Sequence, residues 1–420
     1  MSDIRSSSAP DWMLSLLVPL QGSQPQAGVH ALATALAKTT WRRLQQACQD
    51  DGQAAALRSA LAGLDLQAWP TTAAWWCPEL GMAMAHFRRG RLQDSVLFFL
   101  LAAHGAGVAG EWELPLAQAQ RLSFAGSLFN AEGLVKAACR QGRLQLWLQA
   151  APAEALCWHR AGNHWTLEPG QEAAPGCQLA PGVALQRPGF EDKMIQSWTL
   201  PPGYQSGDDP EVNWPPSLPE PGLGPAWRTQ AARQAGEALD LLGQLHPNYL
   251  PWCQPLLRGL ATCQVPNPQM LISGSYRTHA GMLTVGFPIQ LPLLAETLVH
   301  EISHQYYSLL SLAVPLIDKQ VATGLYYSSF KRKDRPLEKI LFAFHATANM
   351  AFYWHQVLQQ SGPFQDLADR ELGKLVGYIG SLGQTLRDAP GLSPTGQACF
   401  ELQSAMLLER GLCATAEALH

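Results

Sequence analysis

The chain has 420 residues, which is long enough for two or three domains or for one large elaborated domain. Hydrophobic residues make up 47% of it and charged residues only 15%, against about 25% in an average globular protein. The formal net charge of -4 gives no electrostatic basis for a nucleic-acid partner. No apolar run reaches the roughly 18 residues that a membrane span requires, so we expect no membrane partner either.

The N-terminus and the cysteines favour a cytoplasmic location. The first residues, MSDIRSSSAPDW, lack the basic region and following apolar region of a secretory signal. Nine cysteines are scattered without CxxC spacing. Such a set is typical of reduced thiols, and we expect most of them to be small buried hydrophobic residues.

The first 200 residues are predicted to form a helical region with a small β-rich insert. Apolar residues recur at helical spacing in three stretches, 29–47, 53–64 and 92–103. The period then changes, because leucines alternate with other residues over 144–148 as they do in a strand. Short segments broken by Gly and Pro follow. We therefore place the insert at 140–190 within an N-terminal region that spans 1–200.

A proline-rich connector at 201–225 separates this region from a second domain at 226–420. The connector holds eight prolines, which end helices and cannot donate to a sheet. The elements predicted beyond it are a strand at 282–288 and helices at 227–245, 291–312, 337–360, 365–386 and 397–410. The predicted fold class is therefore mainly α with a smaller β component (α+β).

The sequence HEISH at 300–304 is an HExxH motif in the middle of an apolar predicted helix. His300 and His304 are four residues apart and point the same way, so both imidazoles can bind one metal ion. Glu296 lies on the same face, another four residues earlier. Unpaired polar groups are costly in an apolar helix, which favours a metal site over two unrelated histidines. The usual interpretation of the motif is a zinc peptidase with Glu301 as general base.

The residues alone offer two candidates for the third metal ligand. Tyr307 and Leu310 stand where the longer motif HExxHxxGxxH needs Gly and His, which excludes a metzincin. A glutamate from a later helix would have to be Glu338, which has no supporting pattern. His345, 41 residues after His304, lies among Ala and Phe in a predicted helix and is the stronger candidate. The alternative for His345 is a hydrogen-bonded core histidine. Zinc and non-haem Fe(II) both accept three imidazoles.

A basic segment stands between the candidate ligands. Residues 326–336, YYSSFKRKDRP, place four basic groups just before the helix of His345. A solvated basic turn is one interpretation. The other is a binding site for a dicarboxylate co-substrate, because the planar fork of Arg335 matches a carboxylate.

The chain resembles the HExxH-type 2-oxoglutarate-dependent peptide β-hydroxylases found with ribosomally made, modified peptides. The resemblance covers roughly 272–354, and the N-terminal half resembles no family that we can name. The residues that carry it are Ser273-Gly274-Ser275 and Gly281, the run Ala295 to Glu301 with His304, Tyr326-Tyr327, Arg335-Pro336, Phe344-His345 and Trp354. Phe330 stands in place of a usual Trp, and Lys331 in place of a usual Arg.

The resemblance implies a helical catalytic domain in which His300, His304 and His345 hold Fe(II). It implies that 2-oxoglutarate and O2 are co-substrates and that the β-carbon of a residue in a precursor peptide is hydroxylated. Glu301 then orients a ligand or solvent beside the metal and is not a water-activating base.

The resemblance also assigns the residues around the iron. The far carboxylate of 2-oxoglutarate pairs with Arg335, helped by Lys331 or Arg332. Lys331 cannot form a bidentate fork, so Arg335 is the main anchor. Tyr326, Tyr327 and Asn349 are candidate pocket residues, with simple packing as an equal alternative. A zinc peptidase and a non-catalytic peptide-binding protein stay as alternative functions. The sequence names neither the peptide nor the oligomeric state.

Overall fold

Helices form the larger part of the structure, and the fold class is α+β with mainly helical content, as the sequence predicts. The structure is a computed structural model that describes residues 16–19, 25–52, 54–67, 69–125, 127–148, 155–161, 164–169, 183–197, 225–264 and 271–413. The connector predicted at 201–225 lies outside the described residues except for its last residue. No helix in the described ranges is both long and apolar enough to cross a bilayer.

The helices within these ranges closely match the periodic segments of the sequence. In chain order they are α1 (Pro25–Asp50), α2 (Ala55–Ala62), α3 (Pro78–Arg88), α4 (Leu92–Gly105), α5 (Pro225–Leu245), α6 (Tyr249–Cys253), α7 (Leu291–Ala313), α8 (Leu337–Gln359), α9 (Gln365–Asp388) and α10 (Pro394–Glu409). Only α3 and the short α6 lack a counterpart among the predicted helices.

The strands are short and mostly lie before α5. They are β1 (Gly110–Pro115), β2 (Gln120–Phe124), β3 (Ser127–Ala131), β4 (Leu134–Arg140), β5 (Arg143–Leu148), β6 (Leu156–Ala161), β7 (His164–Leu167), β8 (Val183–Ala184), β9 (Met194–Ser197), β10 (Gly259–Gln264), β11 (Ser273–Ser275), β12 (Met282–Phe287), β13 (Leu325–Ser328) and β14 (Lys333–Pro336). The β-rich part thus begins at Gly110, well before the position of 140 that the change of period indicated.

The chain divides into two compact units that interleave along the sequence. The helical unit comprises Met1–Gly28, Glu237–Pro255 and Gln290–His420, and the sheet unit comprises Val29–Gly236 and Leu256–Ile289. These units differ from the consecutive domains predicted at 1–200 and 226–420, because the segment 256–289 belongs with the sheets.

The sheet unit holds two five-stranded sheets. One has the order β1-β4-β5-β6-β7 with antiparallel pairing throughout. The leucines of β5 are all buried, as their alternation predicts. The other sheet has the order β11-β12-β10-β9-β8, in which β9, β10 and β12 run parallel. All six residues of β12 are buried, which fits a strand with a neighbour on each side.

In the helical unit, α7 and α8 pack against each other in opposite directions. The Tyr353 hydroxyl donates to the carbonyl oxygen of Pro292 at 2.9 Å, near the start of α7. The Tyr307 hydroxyl, near the end of α7, donates to the carbonyl oxygen of Glu338 at 3.2 Å. The two helices are therefore antiparallel. This arrangement sets the middle of one helix against the middle of the other.

Candidate metal centre

The HExxH motif lies in α7, and several residues of α7 favour a helix. Pro292 stands in its first turn, where a proline costs no hydrogen bond. Leu298 and Ile302 are fully buried. The hydroxyls of Thr297 and Ser303 donate at 2.7 Å to the carbonyl oxygens four residues before them, which satisfies their donor hydrogens within the helix.

The motif brings His300, Glu301 and His304 together. One ligand atom from each of the three lies within 4.8 Å of the other two. The Nε2 atom of His300 is 3.8 Å from Oε1 of Glu301, and the two imidazole centroids are 4.5 Å apart at 82°. This is the only such group of His, Cys, Asp and Glu side chains among the residues that the structure describes.

Apolar and aromatic side chains surround the two histidines. The ring of Phe342 stacks on His304 with centroids 3.8 Å apart and planes at 4°. Phe330 stacks on His300 at 6.1 Å, and the sulfur of Met350 lies 3.0 Å from Nδ1 of His300. The site is therefore a polar cluster in an apolar setting.

This setting keeps the imidazoles neutral. Loss of solvation lowers the pKa of His300, and the nearby Lys331 lowers it further while Glu301 opposes the change. Loss of solvation also lowers the pKa of His304 well below its usual value, and the charges that His300 and His345 would carry add to the effect. Neutral imidazole is the form that binds a metal, so neither histidine has to lose a proton first.

Three buried polar atoms at the motif have no hydrogen-bond partner among the described residues. They are Nδ1 of His304, Oε2 of Glu301 and Nδ1 of His345. A buried polar atom without a partner costs about 1–3 kcal/mol, and a charged one more. The Glu301 side chain is 2% exposed, so its carboxyl group lies almost entirely out of solvent. Unpaired nitrogens and a buried carboxylate in one cluster fit a divalent cation, and both Zn²⁺ and Fe(II) accept this set of donors.

His345 lies next to the motif but outside the group of close ligand atoms. Its Nε2 atom is 3.1 Å from the carbonyl oxygen of Ser303. The side chain is 2% exposed, and loss of solvation lowers its pKa to about 4. This is the hydrogen bond that a core histidine would make. The Nδ1 atom of His345 stays available to another partner.

The basic segment folds into a hairpin, β13 and β14, in which Tyr326 is paired with Arg335 and Tyr327 with Asp334. Lys331 lies in the turn with its amino group 5.4 Å from the centre of the Phe330 ring. Partial loss of solvation lowers the pKa of Lys331, and the charge of Arg335 lowers it further, while Glu301 raises it. The charges of Lys331 and Arg335 thus act on each other, and Lys331 acts on the motif.

The remaining predicted residues lie in different settings. Arg335 and Tyr326 are half-buried, whereas Arg332 is exposed at the turn with φ at 52°. Tyr327 is 54% exposed. Asn349 is fully buried and donates at 2.9 Å both to the carbonyl oxygen of Leu17 and to the hydroxyl of Ser303. These bonds hold α8 to its neighbours, while the Oδ1 atom of Asn349 is buried with no hydrogen-bond partner among the described residues.

Sequence reasoning assigned no role to Glu296, Phe342 or Met350. Glu296 is 8% exposed, and loss of solvation raises its pKa to about 7, with the neighbouring Trp354 opposing the change. Its spacing from His300 was visible in the sequence. Phe342 is one helical turn before His345, and that position could have been recognised from the same periodicity. Nothing in the sequence points to Met350.

No protein-family model matches the chain, and no curated protein matches it.

Proposed function

We propose that this protein is an Fe(II)- and 2-oxoglutarate-dependent dioxygenase that hydroxylates the β-carbon of a residue in a ribosomally synthesised precursor peptide. The observation that carries the proposal is the pair of partly buried imidazoles at His300 and His304, both shifted toward the neutral form. The charge of Lys331 acts on them, and the charge of Arg335 acts on Lys331. A metal site with a dicarboxylate site next to it is what this chemistry needs. A cytoplasmic location is part of the proposal, and the described cysteines are all free thiols.

His300 and His304 would hold the iron, with His345 as the third ligand through its unpartnered Nδ1. Bound iron, with 2-oxoglutarate as the reductant, supplies the oxidation of a C–H bond by O2. Three imidazoles leave other coordination positions open for the co-substrates.

The protein residues bind, orient and exclude water. Arg335 receives the far carboxylate of 2-oxoglutarate through its planar fork, and Lys331 adds a point charge. Phe330 and Phe342 cover the two histidines and keep solvent from the metal ligands. Glu301 accepts a hydrogen bond beside the ligands and fixes what is bound there.

A zinc peptidase is the second candidate, and the placement of Glu301 favours it. Its Oε1 lies 3.8 Å from Nε2 of His300, and its Oε2 has no hydrogen-bond partner among the described residues. A carboxylate in this position can take a proton from a metal-bound water. The two candidates share the metal site and differ in whether 2-oxoglutarate is needed.

The test separates metal binding, co-substrate turnover and peptide chemistry. The purified protein is loaded anaerobically with Fe(II), and 2-oxoglutarate binding is measured by titration calorimetry. After O2 is admitted, succinate is measured with and without a candidate precursor peptide. The intact mass of the peptide is measured by mass spectrometry. The proposal expects succinate and a gain of one oxygen, both dependent on Fe(II) and on 2-oxoglutarate.

Other outcomes point elsewhere. Peptide cleavage by the zinc-loaded protein without 2-oxoglutarate would establish the peptidase. A protein that binds peptide with its histidines intact but takes up no metal would be a non-catalytic binding protein. Glu301→Gln is the matched variant, since it should abolish zinc-dependent cleavage but leave 2-oxoglutarate binding to the iron form within about threefold of the parent protein.

A further inference from the structure

The hairpin next to the metal site exposes large apolar side chains. Five large hydrophobic side chains are strongly exposed among the described residues, and three of them, Val321 (49%), Leu325 (66%) and Tyr327 (54%), fall within seven positions. Single exposed hydrophobic residues are normal, but such a concentration marks an interaction site.

Leu325 and Tyr327 lie on one face of the hairpin. They are two residues apart on β13, so they point the same way, and Pro336 and Asp334 are their partners on β14. The opposite face carries Tyr326 and Arg335, which are half-buried, Ser328, which is fully buried, and its partner Lys333, which is exposed. The hairpin therefore exposes the apolar pair Leu325 and Tyr327 beside Asp334 on one face. On the other face it buries most of the polar groups and leaves Lys333 exposed.

The same hairpin carries an excess of positive charge. Its turn and second strand hold Lys331, Arg332, Lys333 and Arg335 against the single acid Asp334, and none of these five side chains forms an ion pair with another described residue. Arg332 and Lys333 are exposed. Unlike the pair assigned to the co-substrate, Lys331 and Arg335, they have no role in the proposed reaction.

The backbone of the hairpin is also open. β13 and β14 form a two-stranded sheet, and within the described part of the chain neither strand pairs with a third. An open sheet edge gives an extended peptide backbone donors and acceptors to pair with, while side chains on the two faces choose its sequence.

We propose that this hairpin surface, formed by Val321, Leu325, Tyr327, Arg332 and Lys333, is the docking surface for an acidic peptide that binds in extended form. On one face of the hairpin, apolar side chains of the peptide contact Leu325 and Tyr327. Its alternating carboxylates reach the other face, where they pair with Lys333, and the turn, where they pair with Arg332. Phe330, at the turn, contacts His300, so a peptide on this surface lies beside the candidate metal centre. The reaction that follows docking rests on the proposed function, whereas the docking itself does not.

An anionic membrane also attracts cations and exposed aromatic residues, but the geometry favours a peptide. A membrane-inserting hairpin carries its apolar residues at the tip. Here the turn at 329–332 holds Lys331 and Arg332, and its one aromatic residue, Phe330, packs on His300. The apolar residues lie along the strand, where an extended peptide would run.

The test measures binding on the metal-free, full-length protein without co-substrate. The probe is a fluorescein-labelled octapeptide that alternates glutamate and valine, and binding is followed by fluorescence anisotropy. The controls are an octapeptide with lysine in place of glutamate, a version methylated on alternate backbone nitrogens, and vesicles of phosphatidylcholine with phosphatidylserine. We expect the acidic peptide to bind best, with affinity that falls as salt rises from about 0.05 to 0.5 M.

Variants locate the surface. Lys333→Glu and Leu325→Ser should each weaken binding about threefold to fivefold, and together more. The matched controls, Arg43→Glu on α1 and Leu408→Ser on α10, should leave it unchanged. Circular dichroism and the thermal midpoint of each variant show that it is folded.

The docking proposal is overturned if the lysine peptide binds as well as the acidic one, if neither hairpin variant changes the affinity, or if vesicles bind and the peptide does not. Unchanged binding of the methylated peptide would overturn the extended, strand-like mode. Failure of the proposed function is a separate result. A protein that binds this peptide through Lys333 and Leu325 but forms no succinate would support the docking proposal and contradict the dioxygenase proposal.

Discussion

Burial changes the protonation of single residues at the candidate metal site. His300, His304 and His345 are all shifted toward the neutral form, chiefly by loss of solvation. An isolated, neutral core histidine would share this shift, so the shift alone does not show which imidazoles bind a metal. Substituting each histidine in turn tests which of them binds the metal.

We expect His300→Ala and His304→Ala to lower iron affinity by more than about 100-fold, since each removes a proposed direct ligand. His345→Ala should do the same if Nδ1 is the third donor. The measurement is metal content after equilibrium dialysis, with His355→Ala on α8 as the matched control. Retention of full metal content by the His345 variant would leave the Ser303 hydrogen bond as its only role.

Arg335 should determine the affinity for 2-oxoglutarate. A hydrogen bond to a charged group contributes about 1.5–3 kcal/mol, so Arg335→Ala should weaken binding about 10-fold to 150-fold in the metal-loaded protein. Arg332→Ala is the matched control, because its exposed side chain should change the affinity little. Equal effects of the two variants on calorimetric binding would mean that only the general charge of the hairpin matters.

Glu296 should make stability depend on pH. Burial raises its pKa from 4.5 to about 7, so the folded state holds a proton that the unfolded state releases. Its contribution to stability is fully present below about pH 4.5 and is lost as pH rises through about 7. We expect Glu296→Gln to stabilise the metal-free protein by up to ~3 kcal/mol at pH 8 and by little at pH 4.5.

The check for Glu296 is urea unfolding of parent and variant across that range. The other charged or titratable groups that act on this carboxyl are Glu371 and Lys374 on α9 and Tyr353 on α8. Lys374→Met is a useful control, since it removes a neighbouring charge and keeps Glu296. A constant difference between parent and Gln variant at all pH values would contradict the assignment.

At the scale of elements, the pairing of α7 with α8 holds the motif in place. Asn349 joins Ser303 of α7 to Leu17 with two buried hydrogen bonds. Asn349→Ala leaves the Ser303 hydroxyl and the Leu17 carbonyl without this donor, and it opens a small cavity. We expect a loss of about 2–4 kcal/mol in the free energy of unfolding.

Urea unfolding monitored by circular dichroism measures that loss. Thr347→Val is the matched control on the same helix, because its hydroxyl donates only to Ala343 of its own helix. That variant should change stability by less than about 1 kcal/mol. If both variants unfold at the same urea concentration, Asn349 is not a tie between the helices.

The elements also show how far the sequence could predict this structure. The helices α7 and α8 follow from apolar periodicity to within one residue of their ends, and the alternation in β5 predicts that strand. The HExxH spacing predicts that His300 and His304 meet, because that contact is local to one helix. The Ser303 contact of His345 depends on the register between two helices, which periodicity does not determine. The stacking of Phe342 on His304 depends on the same register.

At the scale of the whole molecule, the sequence predicted consecutive domains, and the two units interleave. Composition marks the connector at 201–225, but it carries no information on which distant segments pack together. In the sequence, the segment 256–289 comes just before the HExxH helix and was predicted to share its domain. In the structure it belongs to the sheet unit. Such an assignment depends on the pairing of β10 with β9, which is a long-range property.

Metal binding should protect one unit more than the other. A ligand that binds only the folded state stabilises it by RT ln(1 + [L]/Kd), or about 2.7 kcal/mol at 100 times Kd. We expect added Co(II), an oxygen-stable substitute for Fe(II), to slow hydrogen exchange in peptides from α7 and α8. Peptides from β4 and β5 should change little. Equal protection of all four elements, read by mass spectrometry, would contradict a metal site confined to the helical unit.

The division of the helical unit among three chain segments has a consequence for synthesis on the ribosome. The carbonyls of Leu16 and Leu17 accept hydrogen bonds from Trp252 and Asn349, so their partners are synthesised 236 and 332 residues later. Between Gly28 and Gln290 the ribosome adds the whole sheet unit. At ~5–20 residues per second this takes roughly 15–50 s. Through that time residues 16 and 17 are without these partners, and α7 is synthesised only after the sheet unit.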